Sequence, residues 1–350
     1  MLFRSAASVV GGRETSFSSR PRSMTTSGYE PLAVTTRSGV LESVHHAALV
    51  ALDRDGSVAF AFGDPNHPVF PRSSMKPLQA HAMVTAGLDL PDDLMALVCA
   101  SHDGRPMHID GARRILASVG LDESALANTT DLPLDESESM RVVCQGGAPN
   151  AVQMNCSGKH AGMLATCVIN RWSHGPDYLD QNHPLQRAIT EGIPTLTHGS
   201  VVDIGVDGCG APAHVISLVD LARAFRAIAC GEAGKAGERV HRAMTSYPDM
   251  VGGPERDVSL LMHGVPGLLA KDGAEGVFAV GLPDGRAVAL KVADGANRPR
   301  PPLMRAALVA LGIDVSRVAP AAFTSVVLGH GRPVGEVRIV GELARLAGLD

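Results

Sequence analysis

The sequence is short of aromatic residues, of long apolar runs and of lysine, and each shortage excludes something. Phe, Tyr and Trp make up 3% of its 350 residues and the formal net charge is −5. The chain therefore has neither the stacking platform nor the basic face by which nucleic acids are held. No apolar run reaches the roughly eighteen residues needed to cross a bilayer, the longest being pieces such as "HHAALVAL". The six cysteines, at 99, 144, 156, 167, 209 and 230, lie too far apart for a disulfide framework. They suit a reducing, cytoplasmic compartment. What remains, 45% apolar and 19% charged residues, is the mix of a globular protein able to bury a large core in one domain or two.

Lysine is the most informative shortage. Five lysines, Lys76, Lys159, Lys235, Lys271 and Lys291, stand against twenty-six arginines. A chain that uses Arg wherever any cation serves keeps Lys where the amine must lose its proton, which a guanidinium does not do.

Residues 1–28 are rich in Ser and Arg and carry one acid, Glu14. A transit peptide, a disordered extension and a true translation start at Met24 all fit that composition. The apolar piece "SAASVV" is too short for a secretory segment, which favours a tail or a late start over targeting. The catalytic or binding unit is then expected over 29–350.

Along the rest of the chain, "LESVHHAALVALDRDGSVAFAFGD" predicts two strands about a turn. "SSMKPLQAHAMVTAG" predicts a helix starting near Ser73, with Pro77 in its first turn and Gly87 ending it. "GARRILASVG", "HPLQRAITEGI" and "VISLVDLARAFRAIACGE" predict further helices, and "GVFAVGLPDGRAVALKVAD" and "TSVVLGHGRPVGEVRIV" two hairpins. Residues 112–139 read as a solvated helical excursion. Strands at both ends with helices grouped between them predict an α+β fold, a mixed or antiparallel sheet covered by helices.

Three groups of residues carry possible chemistry. Ser73 and Lys76 form S-x-x-K, whose members share one face of a helix. A Ser at the helix start also lies in the positive field that favours a developing alkoxide. The plain alternative is a Ser cap followed by a surface cation, against which the scarcity of lysine speaks. In "NCSGKHAGM" and "DIGVDGCGAP", Cys156, Lys159 and Cys209 have ligand-like spacing. Two thiolates and a neutral amine leave a fourth tetrahedral position open, as in an accessible zinc site. Two buried structural cysteines, or a Cys156–Cys209 disulfide, are the alternatives. Third, Ser101 and His102 follow the apolar run "LMALVCA", read as ending a strand, and Lys271 precedes a glycine-containing turn where backbone N–H groups can approach a ligand.

Taken in order, "TRSGVLESVHHAALV", "RSSMKPLQ", "ASHDG", "NCSGKHAGML", "HPLQ", "DGCGAP", "KDGAEGV" and "KVADGANR" resemble the blocks of the Rhizobium etli-type (class 3) L-asparaginases, the asparaginase II family. The resemblance covers residues 32 to 340, leaving aside the extension and the region 115–140. It implies hydrolysis of L-asparagine to aspartate and ammonia, a fold similar to serine β-lactamases and penicillin-binding proteins, and a homodimer. Carried onto this sequence, it implies two Ser–Lys tandems, Ser73 with Lys76 and Ser101 with Lys271. It implies a zinc ion (Zn2+) on Cys156, Lys159 and Cys209, and further site residues at Arg72, His160 and Asp207. Lys235, in "GEAGKAGER", matches no block and is expected to face solvent.

Other functions compete. A glutaminase differs by one methylene of substrate, worth about 1–3 kcal/mol of discrimination. A β-lactamase-like hydrolase shares S-x-x-K but also uses an S-D-N element, which the sequence lacks. A non-catalytic zinc-binding or redox-sensing protein needs the cysteines and not the serines.

Overall fold

The computed structural model describes residues 28–349. The expected extension over 1–28 and the alternative start at Met24 thus lie outside the described residues, Gly28 excepted. The first strands, β1 (Glu30–Arg37), β2 (Val40–Leu52) and β3 (Val58–Phe62), are joined by tight turns, the second closed by the Asp53 and Ser57 backbone. A short β4 (Pro68–Val69) leads into α1 (Lys76–Thr85), α2 (Asp92–Val98), α3 (Pro106–Ala117), α4 (Glu136–Cys144), α5 (Ser157–Ile169) and α6 (Pro184–Thr197). Next come β5 (Asp203–Val206), β6 (Pro212–Ser217), α7 (Leu218–Ala229), α8 (Gly234–Ser246), α9 (Pro248–Val251) and α10 (Asp257–Gly264). The strands β7 (Leu269–Gly273), β8 (Val277–Gly281) and β9 (Ala287–Val292) are followed by α11 (Arg300–Ala310), the hairpin β10 (Val326–Gly329) and β11 (Arg332–Ile339), and α12 (Glu342–Leu346).

The architecture is the expected α+β one. Eight strands form an antiparallel sheet in the order β10–β11–β1–β2–β9–β8–β7, with β3 also on β2. β2 serves three partners because it is long: its first part pairs β1, its second part pairs β3 on the same edge, and β9 lies along the opposite edge. The first and last described strands meet where Val34 of β1 stands opposite Arg338 of β11. A smaller sheet, β4–β6–β5, flanks the helices. Central strands β8 and β9 are buried almost throughout, and α7 packs its Leu218, Leu221, Ala222, Phe225 and Ile228 onto them and onto β2. Burial of such side chains stabilises by about 1.5–3 kcal/mol each relative to exposure. No helix among the described residues is long and apolar enough to cross a membrane.

Three expectations are corrected. "LMALVCA" ends no strand: it lies mostly in α2, whose five apolar residues are all buried among α3, α5, α8 and α9. A short continuous apolar run has no period by which helix and strand can be told apart. The stretch beginning "VIS" divides at Ser217, which ends β6 and caps α7 by accepting from the Asp220 N–H at 3.2 Å. The region 112–139 is largely irregular, with the end of α3, a 3₁₀ turn at Glu123–Ala125 and only the start of α4.

Candidate active site

The Ser73 segment is built by a change of direction. After β4 the chain passes Pro71, takes a left-handed backbone at Arg72 (φ 54°), and runs through a 3₁₀ turn over Arg72–Met75 into α1. A non-glycine residue at positive φ is disfavoured and persists only where its surroundings hold it. Here Arg72 Nε donates to Asp207 Oδ1 at 2.8 Å, tying the serine turn to the Asp207–Cys209 turn. The helical path thus begins at Ser73 as expected, but tightly wound, with regular α geometry from Lys76 and Pro77 in its first turn.

Lys76 is 1% exposed, and its Nζ donates to the Ala100 carbonyl and, at 3.0 Å, to Ser101 Oγ. It makes no hydrogen bond to Ser73 in this structure. The amine instead reaches across to the loop after α2, where the Ser101 N–H is held by the Val251 carbonyl at 3.0 Å. Ser73 and Ser101 nonetheless line one cleft of about 480 Å³, together with Asn155, Arg256, Asp272 and Arg300.

Lys271 lies on β7 with no solvent exposure. Its Nζ donates to the Asp272 carbonyl at 2.8 Å and to the Asp272 carboxylate, so it too is engaged elsewhere than its expected serine partner. Burial lowers the Lys271 pKa to about 8, with the Lys76 charge adding to the effect and Asp272 opposing it. Asp272, although buried, is held well below the usual carboxylate range by Lys271, Arg256 and Arg300. Arg256 donates to its Oδ2 at 2.8 Å and Arg300 lies 3.4 Å from the same oxygen. The end of β7 rests on the serine turn: a Cβ at Gly273 would sit 2.3 Å from the Pro71 carbonyl, and Ser74 Oγ donates to the Lys271 carbonyl at 3.2 Å.

The thiols gather beside this cleft. The start of α5 is pressed against α2, where a Cβ at Gly158 would meet the Leu97 carbonyl at 2.4 Å. It is also tied to the Ser101 loop by His102. The His102 Nδ1 accepts from the Gly104 N–H at 3.1 Å, so its Nε2–H donates to Ser157 Oγ at 2.8 Å. Burial, first, then His108 and Lys76, hold His102 neutral.

Lys159 Nζ donates to Cys209 Sγ at 3.1 Å, and Cys156 packs against Cys209; both cysteines are buried and unbridged. The disulfide alternative is not the arrangement present. The Cys156 thiol donates to Asn155 Oδ1 at 3.0 Å. Cys209 is held toward thiolate by the adjoining Cys156 thiol, by Lys159 and by His160, against the effect of burial, while its position beside that sulfur and burial push Cys156 up. Burial opposes charge on Lys159, but Cys209, Cys156 and Asp207 outweigh it and raise its pKa.

The expected site residues thus fall into two adjoining sets. Ser73 and Ser101 line the cleft, with Lys76 and Lys271 buried beside Ser101 and Asp272 respectively, whereas Cys156, Lys159, Cys209 and His160 form a buried cluster. The Arg72–Asp207 pair joins them. His160 makes its contact away from the cleft: Tyr178 OH, which accepts from the Ala127 N–H at 3.3 Å, donates to His160 Nδ1 at 2.8 Å. This leaves the ring proton on Nε2, which is buried without a hydrogen-bond partner and lies close to Cys209.

That donor set fits a metal. Among the described residues no group of three or more His, Cys, Asp or Glu side chains is placed to hold one. The Cys156–Lys159–Cys209 set instead offers two sulfurs and a nitrogen, soft and borderline donors suited to zinc with one position left over. The orphaned His160 N–H beside Cys209 is the kind of second partner that orients a ligating sulfur.

The sequence reading missed Asp272, Arg256, Arg300 and Tyr178. Asp272 was visible beside Lys271, and Tyr178 is one of three tyrosines in an aromatic-poor chain, a scarcity signal of the same kind as lysine's. Nothing in the spacing of Arg256 or Arg300 marks them.

The family model described as L-asparaginase II matches residues 33–339. No curated protein matches the chain. Among solved structures, a putative beta-lactamase from Bacteroides dorei DSM 17855 is 16% identical, with a TM-score of 0.38 over 77% of this chain and 88% of that one. A beta-lactamase from Mycobacterium bovis is 15% identical, with a TM-score of 0.31 over 71% and 88%. Mglu in its tris and glutamate form is 12% identical, with a TM-score of 0.34 over 73% of this chain and 56% of that one. The chain thus spans little more than half the length of Mglu. With its model matched from the first strand to the last, the chain belongs to the L-asparaginase II family.

Proposed function

We propose that this protein hydrolyses L-asparagine to L-aspartate and ammonia through a serine ester. The observation that carries the reading is the contact between the buried Lys76 amine and Ser101 in the cleft that Ser73 lines. Neutral Lys76 takes the Ser73 proton as Ser73 Oγ bonds to the side-chain amide carbon. Ser101, already bonded to the amine, passes its proton to the leaving nitrogen and receives the Ser73 proton from Lys76 in its place, and the C–N bond breaks to release ammonia. Water then attacks the aspartyl ester carbon while neutral Lys271 takes its proton, the acyl C–O bond breaks, and that proton returns through Ser101 and Lys76 to the Ser73 oxygen, so that both amines and both serines end as they began. Arg72 keeps both terminal nitrogens free of Asp207, so it can hold the substrate α-carboxylate while Asp207 faces the ammonium.

Zinc, held by Cys156, Lys159 and Cys209, would supply a Lewis-acidic site that orients water or substrate. The residues' own contribution is to keep two sulfurs and an amine converged through His160, Tyr178 and Asp207. The homodimer, the cytoplasmic setting and a catalytic unit over 29–350 belong to the same proposal.

A second reading exchanges the serines. The 3.0 Å bond from Lys76 goes to Ser101, which favours Ser101 as nucleophile with Lys76 as its base. Acid quenching during turnover, followed by peptide mass spectrometry, decides between them. An aspartyl ester on Ser73 that disappears in Ser73→Ala supports the first reading. An ester on Ser101 supports the second, and its absence from both serines under burst conditions would remove the covalent mechanism.

A further inference from the structure

The Lys271 amine does not face Asp272 alone. Lys76 approaches it from α1 and the buried Cys99 thiol from the end of α2. Arg256, the residue that precedes α10, approaches from a third side, and Arg300 of α11 reaches the same carboxylate from a fourth. Behind Arg256 stands Asp103, whose pKa burial pushes up to about 6.

Arg256 is also placed with unusual firmness. Its Nη2 donates to Asp272 Oδ2 at 2.8 Å, and its Nη1 lies 3.5 Å from Asp103 Oδ1. Asp103 follows Ser101 by two residues, and both lean by backbone on the segment before Arg256: the Ser101 N–H on the Val251 carbonyl and the Asp103 N–H, at 2.8 Å, on that of Gly252. At Gly253 (φ +144°) a Cβ would meet Asp103 Oδ2 at 1.9 Å, so no side chain fits between loop and carboxylate. The guanidinium therefore bridges the loop that carries Ser101 to the strand that carries Lys271.

We propose that Arg256 is a positioning residue that sets the protonation of Lys271, by sharing the Asp272 carboxylate with it and by locking that carboxylate to the Ser101 loop. A buried lysine beside an unshared carboxylate forms a tight ion pair and stays charged. Arg256 draws on the other oxygen of the same group and weakens the field that keeps the proton on Lys271. Arg300 does so less, because its shorter contact, 2.7 Å, is to Asp257 and its guanidinium stacks over Phe278. The inference rests on the reading above, in which Lys271 must be neutral to take a proton.

The scarcity of lysine makes the test direct. In protein labelled with ¹³C at lysine Cε, five signals are expected, and that of Lys271 is identified by its loss in Lys271→Arg. Arg256→Gln should raise the pH midpoint of this signal by about one unit or more, and Asp272→Asn should lower it, the opposite sign. Arg256→Lys, which keeps a charge, should restore at least half of the shift. Unmoved midpoints, or shifts of the same sign in Arg256→Gln and Asp272→Asn, overturn the proposal. Should Arg256→Gln fail to fold, Arg256→Met, which removes the charge and keeps the length of the side chain, gives the same comparison of sign against Asp272→Asn. The acid limb of kcat/KM is measured on the same variants. If the NMR midpoint moves and the limb stays, Arg256 tunes Lys271 as proposed, and the role of Lys271 as a proton carrier falls instead.

Discussion

Lys76 Nζ and Ser101 Oγ lie 3.0 Å apart although 25 positions separate them in the sequence. The bond ties the first turn of α1 to the loop after α2, and the adjacent Ala100 carbonyl holds the same amine. In the proposed reaction this one lysine serves two serines, the one that precedes it by three residues and the one it touches.

Replacing Lys76 by Arg should remove most activity. Arg keeps the charge but does not accept a proton, and its planar head does not fit a 1%-exposed site shaped for an ammonium. A loss of about 10²-fold or more in kcat is expected from one acid–base group. Lys235→Arg, at an exposed position, should be silent in the same assay. Equal tolerance at both positions would show that lysine scarcity carries no functional information here.

The pH dependence follows from Lys271. Its burial disfavours the ammonium form and brings the pKa to about 8. The neutral amine takes the proton in the proposed second half-reaction, so kcat should rise as pH climbs through about 8 and level off above it. Lys271→Arg should lower the plateau and abolish this limb. A profile flat from pH 6 to 9 in the unmodified enzyme would contradict the assignment.

Gly273→Ala tests how closely β7 meets the serine turn. The added Cβ would stand 2.3 Å from the Pro71 carbonyl, closer than any real Cβ contact. Overpacking of this kind costs about 1–3 kcal/mol, read as a lowered midpoint in denaturant, and displacement of Ser73 should lower kcat as well. Unchanged stability and activity would mean that the turn and the strand move independently.

Much of the fold was legible because its signals are local. The turn between β2 and β3 carries Asp and Gly, the β8–β9 turn carries Pro283, Asp284 and Gly285, and Pro77 fixes the first turn of α1. α2 was not legible, since a helix buried on every side has no polar face to reveal its period. For the candidate site, the rule that Arg replaces Lys wherever charge alone matters selected Lys76, Lys159 and Lys271, and all three are buried. Lys291 is half-buried, and its Nζ donates to the carbonyls of Glu275 and Val292 at a strand end. The partner of each lysine was not legible. S-x-x-K spacing points Lys76 at Ser73, whereas its bonds run to Ala100 and Ser101, a contact made only when α1 and α2 pack. Arg256 lies equally beyond spacing, because it reaches Asp272 and Asp103 through tertiary structure alone.

Purified, reduced protein should bind about one zinc per chain through its two thiols and one amine. Binding should weaken as pH falls, because all three donors must lose protons to coordinate. Cys209→Ser should lower the affinity markedly, a change that metal analysis and competition with a chelator both read. Absence of zinc, with full activity retained in Cys156→Ser, would leave the serines and lysines to act alone.

The most direct measurement is ammonia release by the purified enzyme from L-asparagine and L-glutamine side by side, with and without chelator. The account predicts turnover of L-asparagine, a kcat/KM for L-glutamine lower by about 10-fold or more, the worth of one methylene in a fitted pocket, and loss of activity in Ser73→Ala. Absence of ammonia from either amide, or turnover undiminished in Ser73→Ala and Ser101→Ala alike, would contradict it.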